Sequence, residues 1–341
     1  MTIPTHMRAL VQLHDGYAGT QTGPDIDDLT PFVALRDIAV PTPGKGQALI
    51  KVQLAAVNPS DIHFIKGEYG QPRKSGIPAG FEAVGEVVAG DTPLVGQRVS
   101  FFASASGTWA QYAMTDVSGL VPCRADLSPV DAAGQLVNPL TAIAMFDIVQ
   151  QSGADSFVLN AAGSQLGKFL IGLGRDHKIA PIAVARRAEQ AEALRALGAA
   201  EVILTSGNNP LDQARAAFKN YAPRILLDAV ADQFTADMFF AMPDGARWIN
   251  YGKLSTEAPK LSQMGQMIFQ NKRIEGFWLT RWMKDTDPAR IPQAFATIQE
   301  RFVTGDWITD VAGIVPLTKA ITTLPQVLGQ RDGKAFIDPT A

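Results

Sequence analysis

The sequence predicts an α/β protein made of two parts, a β-rich irregular barrel and a doubly wound parallel sheet. Three observations predict this fold class. Short β-branched runs separated by Gly and Pro fill the first part of the chain. Apolar runs then alternate with helical segments, as in parallel sheets whose two faces are covered by helices. The length of 341 residues exceeds one typical core and favours two domains.

The first part of the chain carries the pattern of short strands. Residues 47–57 alternate in polarity, and residues 82–91 and 96–104 do likewise. Clusters of Gly and Pro separate these runs. We therefore expect a β-rich domain over residues 1–128.

Beyond this region the pattern changes to alternating helices and strands. The segment 128–153 has helical spacing and ends at Gly153, a typical helix stop. Buried strands with helices between them are predicted over 156–161, 178–185, 200–205, 223–230, 246–252 and 273–279. This succession predicts a Rossmann-type dinucleotide-binding domain over residues 129–280. One amphipathic helix and short mixed elements then predict a return to the first domain over residues 281–341.

Charge and composition exclude several classes of function. The net charge is −3 without any block of like charges, which argues against a nucleic-acid partner. The single cysteine, Cys123, excludes a disulfide framework and a cysteine-rich zinc site. The N-terminus has no apolar signal-peptide region, and no apolar run reaches the roughly 18 residues of a membrane span. We expect a soluble cytoplasmic protein with no membrane partner.

The turn NAAGSQLGK (160–168) is the candidate phosphate site of a dinucleotide. Compared with G-x-G-x-x-G, it aligns as Ala162-x-Ser164-x-x-Gly167, with small residues in place of two glycines. The motif alone is weak, but it follows a predicted buried strand and opens a helix, where N–H groups meet a pyrophosphate. A tight turn that binds nothing is the alternative. The predicted cofactor contacts in this turn are Gly163, Ser164, Gln165 and Leu166.

Two arginines, Arg186 and Arg187, follow the second strand of the predicted sheet. An NAD-preferring site places a carboxylate near here, where it holds the ribose hydroxyls and repels a 2′-phosphate. A guanidinium instead forms charge-assisted, bidentate bonds to that phosphate. We therefore predict NADPH rather than NADH as the cofactor. Two solvated arginines on a helical first turn are the alternative.

Several motifs resemble the medium-chain dehydrogenase/reductase superfamily. In chain order they are AAVNPSDIHFIKGEYG, PAGFEAVGEVV, VNPLTA, NAAGSQLG, LGAAEVI, INYGKL and GFWLTRW. The resemblance covers nearly the whole chain and implies a GroES-like barrel interrupted by a Rossmann domain. The motifs look most like the zinc-independent quinone oxidoreductases and the enoyl-thioester reductases of mitochondrial type.

The resemblance also bears on metal binding. Zinc-dependent alcohol dehydrogenases of this superfamily carry a Cys in the segment that here is AAVNPSD, and a Gly-His-Glu where this chain has Gly80-Phe81-Glu82. Phe81 cannot ligate a metal, and a catalytic zinc needs about three protein ligands. His63 and Glu68 remain as ligand types, but we interpret His63 as structural or solvated. We expect no catalytic metal.

A site without a metal suits the reduction of an activated double bond. NADPH would deliver hydride to the electron-poor carbon of an enone, quinone or enoyl thioester. Negative charge then builds on the conjugated oxygen, and a proton must arrive. The resemblance implies that Tyr69 donates it, because a phenol with an ordinary pKa of about 10 stays protonated at neutral pH. A tyrosine packed at a loop edge is the alternative.

The resemblance implies further contacts to the cofactor. Asn58, Asn138 and Thr141 would line the nicotinamide and ribose pocket, although Asn138 before a proline also fits a helix N-cap. The other contacts that the resemblance implies are Phe277, Trp278 and Leu279 in GFWL, and Lys334 in GKAFIDP. Tyr251 and Gly252 are predicted contacts for another reason, because they end the fifth predicted strand at the carboxyl edge where such sheets bind ligands. Core packing is the alternative for the two aromatic residues of GFWL, and a plain surface charge is the alternative for the lysine.

These observations together predict an NADPH-dependent reductase of a small molecule, with quinones, enals and enoyl thioesters as rival substrates. The alternative from another class is a non-catalytic NADPH-binding protein of crystallin or sensor type, because a fold alone does not give activity. The sixth predicted strand, RIEGFWL, would leave an apolar edge that a two-fold partner covers. We therefore expect a homodimer.

Overall fold

The structure is a computed structural model that describes residues 2–104, 106–330 and 333–341. It divides into two compact units, residues 1–138 with 295–341 and residues 139–294.

Both boundaries between the two units lie later in the chain than the predicted domain boundaries at residues 128 and 280. The first lies later because the helix Pro129–Gly134 packs on strands of the barrel. The second lies inside the helix Arg290–Val303, in which Gln299 donates to the carbonyl oxygen of Pro122 at 3.0 Å.

The first unit is built mainly from antiparallel strands. Its N-terminal part contains strands β1 (His6–Gln12), β2 (Val33–Ala39), β3 (Gln47–Val57), β4 (Glu82–Gly90), β5 (Arg98–Phe102), β6 (Tyr112–Asp116) and β7 (Leu120–Pro122), with helices α1 (Pro59–Lys66) and α2 (Pro129–Gly134). Strands β1 and β2 form their own pair, while β3 pairs with both β4 and β6. Large buried side chains such as Ile50, Phe101 and Trp109 form the core of this unit.

The second unit is a six-stranded parallel sheet with helices between its strands. Its elements are α3 (Val137–Gln151), which begins in the first unit, β8 (Ser156–Leu159), α4 (Gln165–His177), β9 (Ala180–Ala185), α5 (Ala191–Leu197), β10 (Glu201–Leu204), α6 (Pro210–Tyr221), β11 (Ile225–Asp228), α7 (Gln233–Ala241), β12 (Arg247–Asn250), α8 (Gly265–Phe269), β13 (Arg273–Gly276) and α9 (Leu279–Asp285). The strand order is β10-β9-β8-β11-β12-β13, and all neighbours are parallel. The order reverses beside β8, and such sheets bind ligands at the carboxyl edge of this switch point. The predicted doubly wound sheet is confirmed.

The sixth strand is shorter than the predicted range 273–279. Strand β13 ends at Gly276, and Trp278 is the N-cap of α9, so Leu279 lies in a helix. A short apolar run does not by itself distinguish the end of a strand from the first turn of a helix. The single helix predicted after Thr280 is also wrong, because Pro288 separates α9 from the next helix and disfavours helical backbone in the residue before it.

The end of the chain returns to the first unit, as predicted. Its elements are α10 (Arg290–Val303), β14 (Val311–Pro316), α11 (Ala320–Gln330) and β15 (Lys334–Asp338). Strand β15 pairs with β14 on one side and with the end of β3 on the other, where Ala335 faces Val57. Lys334 therefore starts its strand beside the segment that carries Asn58. Among the described residues, no helix is long and apolar enough to cross a membrane.

Candidate cofactor and catalytic site

A buried cluster of charged and polar side chains lies in the first unit, centred on Glu82 at the start of β4. Glu82 is wholly buried, and one of its oxygens accepts from Asn58 Nδ2 at 2.8 Å and lies 3.0 Å from Lys334 Nζ. The other oxygen accepts the backbone N–H groups of Leu136 and Val137, at 3.1 and 2.8 Å. Lys334 Nζ also donates to Asn58 Oδ1. One carboxylate therefore joins four segments of the chain.

The interpretation of Lys334 as a surface charge is wrong. The residue is 6% exposed, and its ammonium lies between Glu82 and Asn58. Burying a carboxylate without a partner costs several kcal/mol, so a buried cation with good geometry is the expected companion. Two residues predicted to contact the cofactor, Asn58 and Lys334, are thus neighbours in space.

Asp61 is a second wholly buried carboxyl group beside this cluster. Its oxygens accept the backbone N–H groups of Asn58 at 2.7 Å and Phe81 at 2.8 Å. Asp61 is the third residue of α1, and the first of these bonds ties it to Asn58, the N-cap of that helix. Burial raises the pKa of Asp61 to about 7, although the hydrogen bond from the backbone N–H of Asn58 lowers it. The negative charge of Glu82 adds to the rise, and the positive charge of Lys334 opposes it.

Tyr69 lies just after α1 in a small aromatic cluster. Its ring centroid is 6.4 Å from that of Phe64 and 5.2 Å from that of Phe81. Gly67 ends the helix with φ of 77°, and a Cβ there would lie 2.7 Å from the backbone nitrogen of Ala18. Glycine is therefore required for the turn that leads to Tyr69. The half-buried tyrosine packs against the phenylalanine that stands where zinc-dependent relatives place a histidine.

The other possible metal ligands of the first unit contact one another or a neighbouring polar side chain. His63 Nδ1 lies 3.3 Å from the carboxylate of Glu68, which fits a structural role for the histidine. Half-buried Cys123 lies 3.2 Å from the hydroxyl of Ser100. Across the part of the chain that the structure describes, no group of three or more His, Cys, Asp or Glu side chains is arranged to hold a metal ion.

The predicted phosphate turn of the second unit lies between β8 and α4. Ser164 is the N-cap of α4, and its hydroxyl accepts the N–H of Gly167 at 3.1 Å. A Cβ on Gly167 would lie 2.6 Å from the carbonyl oxygen of Ala162, so this glycine lets the helix start close to the strand. Gln165 and Leu166 open the helix, where the first N–H groups have no partner within it. This geometry fits a dinucleotide pyrophosphate.

The segment 186–190, which carries both arginines, contacts the phosphate turn through Gln190. This residue was not predicted from the sequence. A Cβ on Gly163 would lie 2.3 Å from Gln190 Oε1, so the glycine makes room for this side chain. The glycine was the available signal, because its lack of a side chain permits a close approach. Arg186 is exposed, and the half-buried Arg187 lies 3.7 Å from the carboxylate of Glu189. The structure thus brings both predicted phosphate-binding groups to one region of this unit.

A second buried carboxylate, also missed from the sequence, ties the carboxyl ends of three parallel strands together. Asp228 ends β11 and accepts from Trp248 Nε1 at 2.7 Å and Asn250 Nδ2 at 2.9 Å. Asn160, just after β8, donates to Asp228 and accepts the N–H of Ala229 at 2.7 Å. These bonds hold β8, β11 and β12 in register at the ligand-binding edge of the sheet.

Tyr251 and Gly252 lie at this same edge, directly after β12. The hydroxyl of Tyr251 is buried and has no hydrogen-bond partner in the described part of the chain. Burial, together with the negative charge of Asp228, raises the pKa of Tyr251, so the phenol stays protonated. Because buried polar groups nearly always have a partner, a polar group of a bound ligand would complete this one.

The last predicted residues lie in α3 and around α9. Helix α3 begins at Val137, so Asn138 lies within its first turn and the N-cap interpretation is wrong. The reason is that the Glu82 carboxylate accepts the N–H of Val137 and extends the helix backwards. Thr141 is buried one turn later. Trp278 is 40% exposed, so core packing of this ring is wrong, whereas Phe277 is half-buried.

Comparisons with known proteins agree with this architecture. Residues 44–125 match the alcohol dehydrogenase GroES-like domain, and residues 166–300 match the zinc-binding dehydrogenase domain. The mitochondrial enoyl-[acyl-carrier-protein] reductase of Arabidopsis thaliana is 32% identical over 273 residues, which cover 75% of this chain and 70% of that protein.

Two solved structures extend the comparison over nearly the whole chain. A proposed NADPH:quinone reductase from Mesorhizobium loti is 45% identical with a TM-score of 0.95, over 99% of this chain and 100% of the other. The mitochondrial 2-enoyl thioester reductase heterodimer of Candida tropicalis shares the fold, with 21% identity and a TM-score of 0.77 over 98% of this chain and 99% of its own.

Fold, motifs and relatives define one class, and the chain belongs to the medium-chain dehydrogenase/reductase superfamily. Within it, the chain falls in the zinc-independent branch. The resemblance inferred from the motifs is confirmed.

Replacing the two arginines tests how the second unit chooses its cofactor. If these arginines bind a 2′-phosphate, Arg186→Ala/Arg187→Ala removes its charge-assisted partners, and kcat/KM for NADPH relative to NADH should fall by about tenfold or more. Steady-state kinetics with both cofactors measures this ratio. Arg215→Ala is the control, because Arg215 pairs with Asp212 on the separate helix α6. An unchanged ratio in the double variant would show that the arginines do not recognise the phosphate.

Removing Lys334 tests the buried ion pair. Lys334→Met leaves Glu82 buried without its cation, so the free energy of unfolding should fall by about 3–5 kcal/mol. Urea unfolding followed by tryptophan fluorescence measures this loss. Lys45→Met, at an exposed lysine of the same unit, is the control. The double variant Glu82→Gln/Lys334→Met should recover part of the loss, and a double variant less stable than Lys334→Met would contradict this account.

Asp61 should make stability depend on pH. Its pKa is about 7 in the folded protein against an ordinary value of 3.8. Between these two values the folded protein holds a proton that the unfolded chain has released, so the free energy of unfolding should fall as the pH rises, and should level off above the folded pKa. Urea unfolding across this range should show a flatter profile for Asp61→Asn. Equal slopes for the two proteins would contradict the prediction.

Proposed function

We propose that the protein is an NADPH-dependent reductase of quinones or other activated double bonds that works without a catalytic metal. The observation that carries this proposal is the packing of Tyr69 on Phe81, with ring centroids 5.2 Å apart. A proton-donating phenol lies against an apolar ring at the position where zinc-dependent relatives have a ligand. The neighbouring carboxylate of Glu82 is already paired with Lys334.

The residues of the second unit fit the dinucleotide. The N-terminus of α4 would hold the pyrophosphate, and Arg186 and Arg187 would hold the 2′-phosphate. Tyr251 and Gly252 would meet the cofactor at the edge beyond β12, and the segment 277–279 would line its nicotinamide end. Thr141 of this unit, and Asn58, Asn138 and Lys334 of the first unit, are the remaining contacts that the family resemblance implies.

The chain's own part in the chemistry is to place the substrate and supply a proton. NADPH, when bound, supplies a hydride to the electron-poor carbon of the substrate. Electrons of the double bond move onto the conjugated oxygen, and hydrogen-bond donors stabilise the charge that develops there. Tyr69 or solvent then donates the proton that completes the reduction, and a tyrosine that has done so regains its proton from water.

Two substrate classes have direct support. Quinones are favoured by the 45% identical structure, a proposed NADPH:quinone reductase that matches almost the whole chain. Enoyl thioesters are favoured by the curated relatives, which are mitochondrial enoyl-[acyl-carrier-protein] reductases. A non-catalytic NADPH-binding protein is not favoured, since these relatives are named as enzymes.

Three acceptors distinguish these possibilities. The absorbance of NADPH is followed with a small quinone, with crotonyl-CoA and with a simple enal. Turnover of the quinone alone or of crotonyl-CoA alone assigns the substrate class. Binding of NADPH with no turnover of any acceptor would overturn the proposal and support the non-catalytic alternative.

Replacing Tyr69 tests its role as the acid. Tyr69→Phe removes the phenolic proton and keeps the ring packed against Phe64 and Phe81. We expect kcat to fall by about a hundredfold, the lower range for a general acid, with the dissociation constant of NADPH unchanged. Tyr221→Phe is the control, because Tyr221 lies at the end of α6 in the other unit. Full turnover by Tyr69→Phe on every accepted substrate would show that Tyr69 is not the acid.

We also propose that the protein is a homodimer that pairs through β13, the edge strand of the parallel sheet. An open strand edge needs cover, and the apolar residues on and near it are exposed, with Ile268 77%, Phe269 84% and Ile274 41% accessible. A two-fold partner would cover both the edge and these side chains.

Charge introduced into this edge should separate the subunits. Phe269→Glu would place a carboxylate in an apolar interface, so sedimentation equilibrium should show a monomer where the native protein is a dimer. Val95→Glu is the control at a half-exposed apolar residue of the other unit. A native protein that sediments as a monomer would contradict the proposal.

A further inference from the structure

Glu68, the residue before the proposed acid, is bonded to a distant part of the first unit. Its carboxylate accepts the backbone N–H and the hydroxyl of Thr22 at 2.7 and 2.9 Å, and the N–H of Gly23 at 3.0 Å. His63 lies 3.3 Å away and Lys66 Nζ lies 3.9 Å away. Burial of this carboxylate is outweighed by these N–H, hydroxyl and ammonium groups, which hold the pKa of Glu68 below its ordinary value. Glu68 is therefore an ionised acceptor with three donors from one segment.

The same segment, residues 15–25, which we term the strap, is fastened at further points. The ammonium of Lys66, itself buried, donates to the carbonyl oxygens of Gly23 and, at 3.1 Å, Asp25. At the other end of the strap, Arg73 Nε donates to the carbonyl oxygen of Gly16 at 3.0 Å. Each fastening joins the strap to a residue close in sequence to Tyr69.

Several polar bonds fasten the strap. A cavity of about 260 Å³ lies beside it, lined by Thr22, Phe32, Lys66, Glu68 and Arg73 among others. The strap contains neither helix nor regular strand. A segment held over a cavity in this way depends on its charge-assisted hydrogen bonds, which are stronger than bonds between neutral groups.

We propose that Glu68 is a positioning residue for Tyr69, and that it acts by fastening the strap to the turn that carries the tyrosine. This inference rests on the proposed function, because it concerns the placement of the proposed acid. Tyr69 follows Glu68 directly on a turn between the helix end at Gly67 and Arg73. Backbone hydrogen bonds on either side, from Ala18 to Gly67 and between Gly16 and Arg73, join that turn to the strap. A displacement of the order of 1 Å in a reacting group lowers rates strongly.

A double-mutant cycle tests this coupling. Glu68→Ala should lower kcat by about tenfold through misplacement of the acid, while the dissociation constant of NADPH stays the same. In a Tyr69→Phe background the same change should alter kcat by less than about twofold, because no acid remains to be placed. Glu68→Gln keeps one carbonyl acceptor and should recover part of the activity. Hydrogen exchange should rise at Ala18, Thr22 and Gly23 in Glu68→Ala.

A matched pair of variants in the strap distinguishes the loss of a bond to Glu68 from a general loss of folding. Thr22→Val removes one hydrogen bond to Glu68 and should lower kcat in the same direction, though less than Glu68→Ala. Thr20 also lines the cavity but makes no hydrogen bond to Glu68 among the described residues, so Thr20→Val should leave kcat unchanged.

The outcomes separate the inference from the function on which it rests. A fall in kcat for Glu68→Ala that is just as large in the Tyr69→Phe background would overturn the positioning role. So would unchanged kcat in Glu68→Ala while Tyr69→Phe is impaired. A native protein that turns over no acceptor would overturn the proposed function and the positioning role with it. Hydrogen exchange in that case still reports whether Glu68 holds the strap.

Discussion

The buried pair of Glu82 and Lys334 is the constraint on which the site of the first unit depends. Removing both charges from water is costly, and the cost is offset only because the carboxylate has the ammonium and three N–H donors. The side-chain N–H donor lies at the start of α1, the two backbone N–H donors lie at the start of α3, and the ammonium lies at the start of β15. Satisfying one carboxylate therefore determines where Asn58, the first turn of α3 and the last strand must lie.

The second unit also has a buried carboxylate that joins separate segments, but its hydrogen-bond partners are neutral. Asp228 is as buried as Glu82, but its donors are the side chains of Asn160, Trp248 and Asn250 and backbone N–H groups. A charge-assisted bond from a neutral donor is directional, so each donor is held at a defined place. The result is a rigid edge on the parallel sheet at the position where such sheets bind nucleotides.

The proposed reduction without a catalytic metal makes two chemical demands on the site. Without a Lewis acid, a site must stabilise developing charge with hydrogen bonds and supply a proton from a group that is protonated at neutral pH. A tyrosine satisfies the second requirement, provided that it is placed accurately. Glu68 is a third carboxylate that serves as a hydrogen-bond acceptor, and here the segment it holds is the strap beside the Tyr69 turn.

Local patterns were enough to predict the parallel sheet, its six strands and the turn at 160–168, because periodicity and turn residues do not depend on tertiary contacts. The sequence also identified Arg186, Arg187 and Tyr69 as candidates. Tertiary structure alone decided that Lys334 is buried beside Asn58, 276 residues away in the chain, and that Gln190 lies against Gly163. The same holds for the change from strand to helix at 277–279 and for the role of Asp228. The physical reason is that burial and hydrogen-bond partnership depend on groups distant in the chain, and no local pattern records which distant donor will meet which carboxylate.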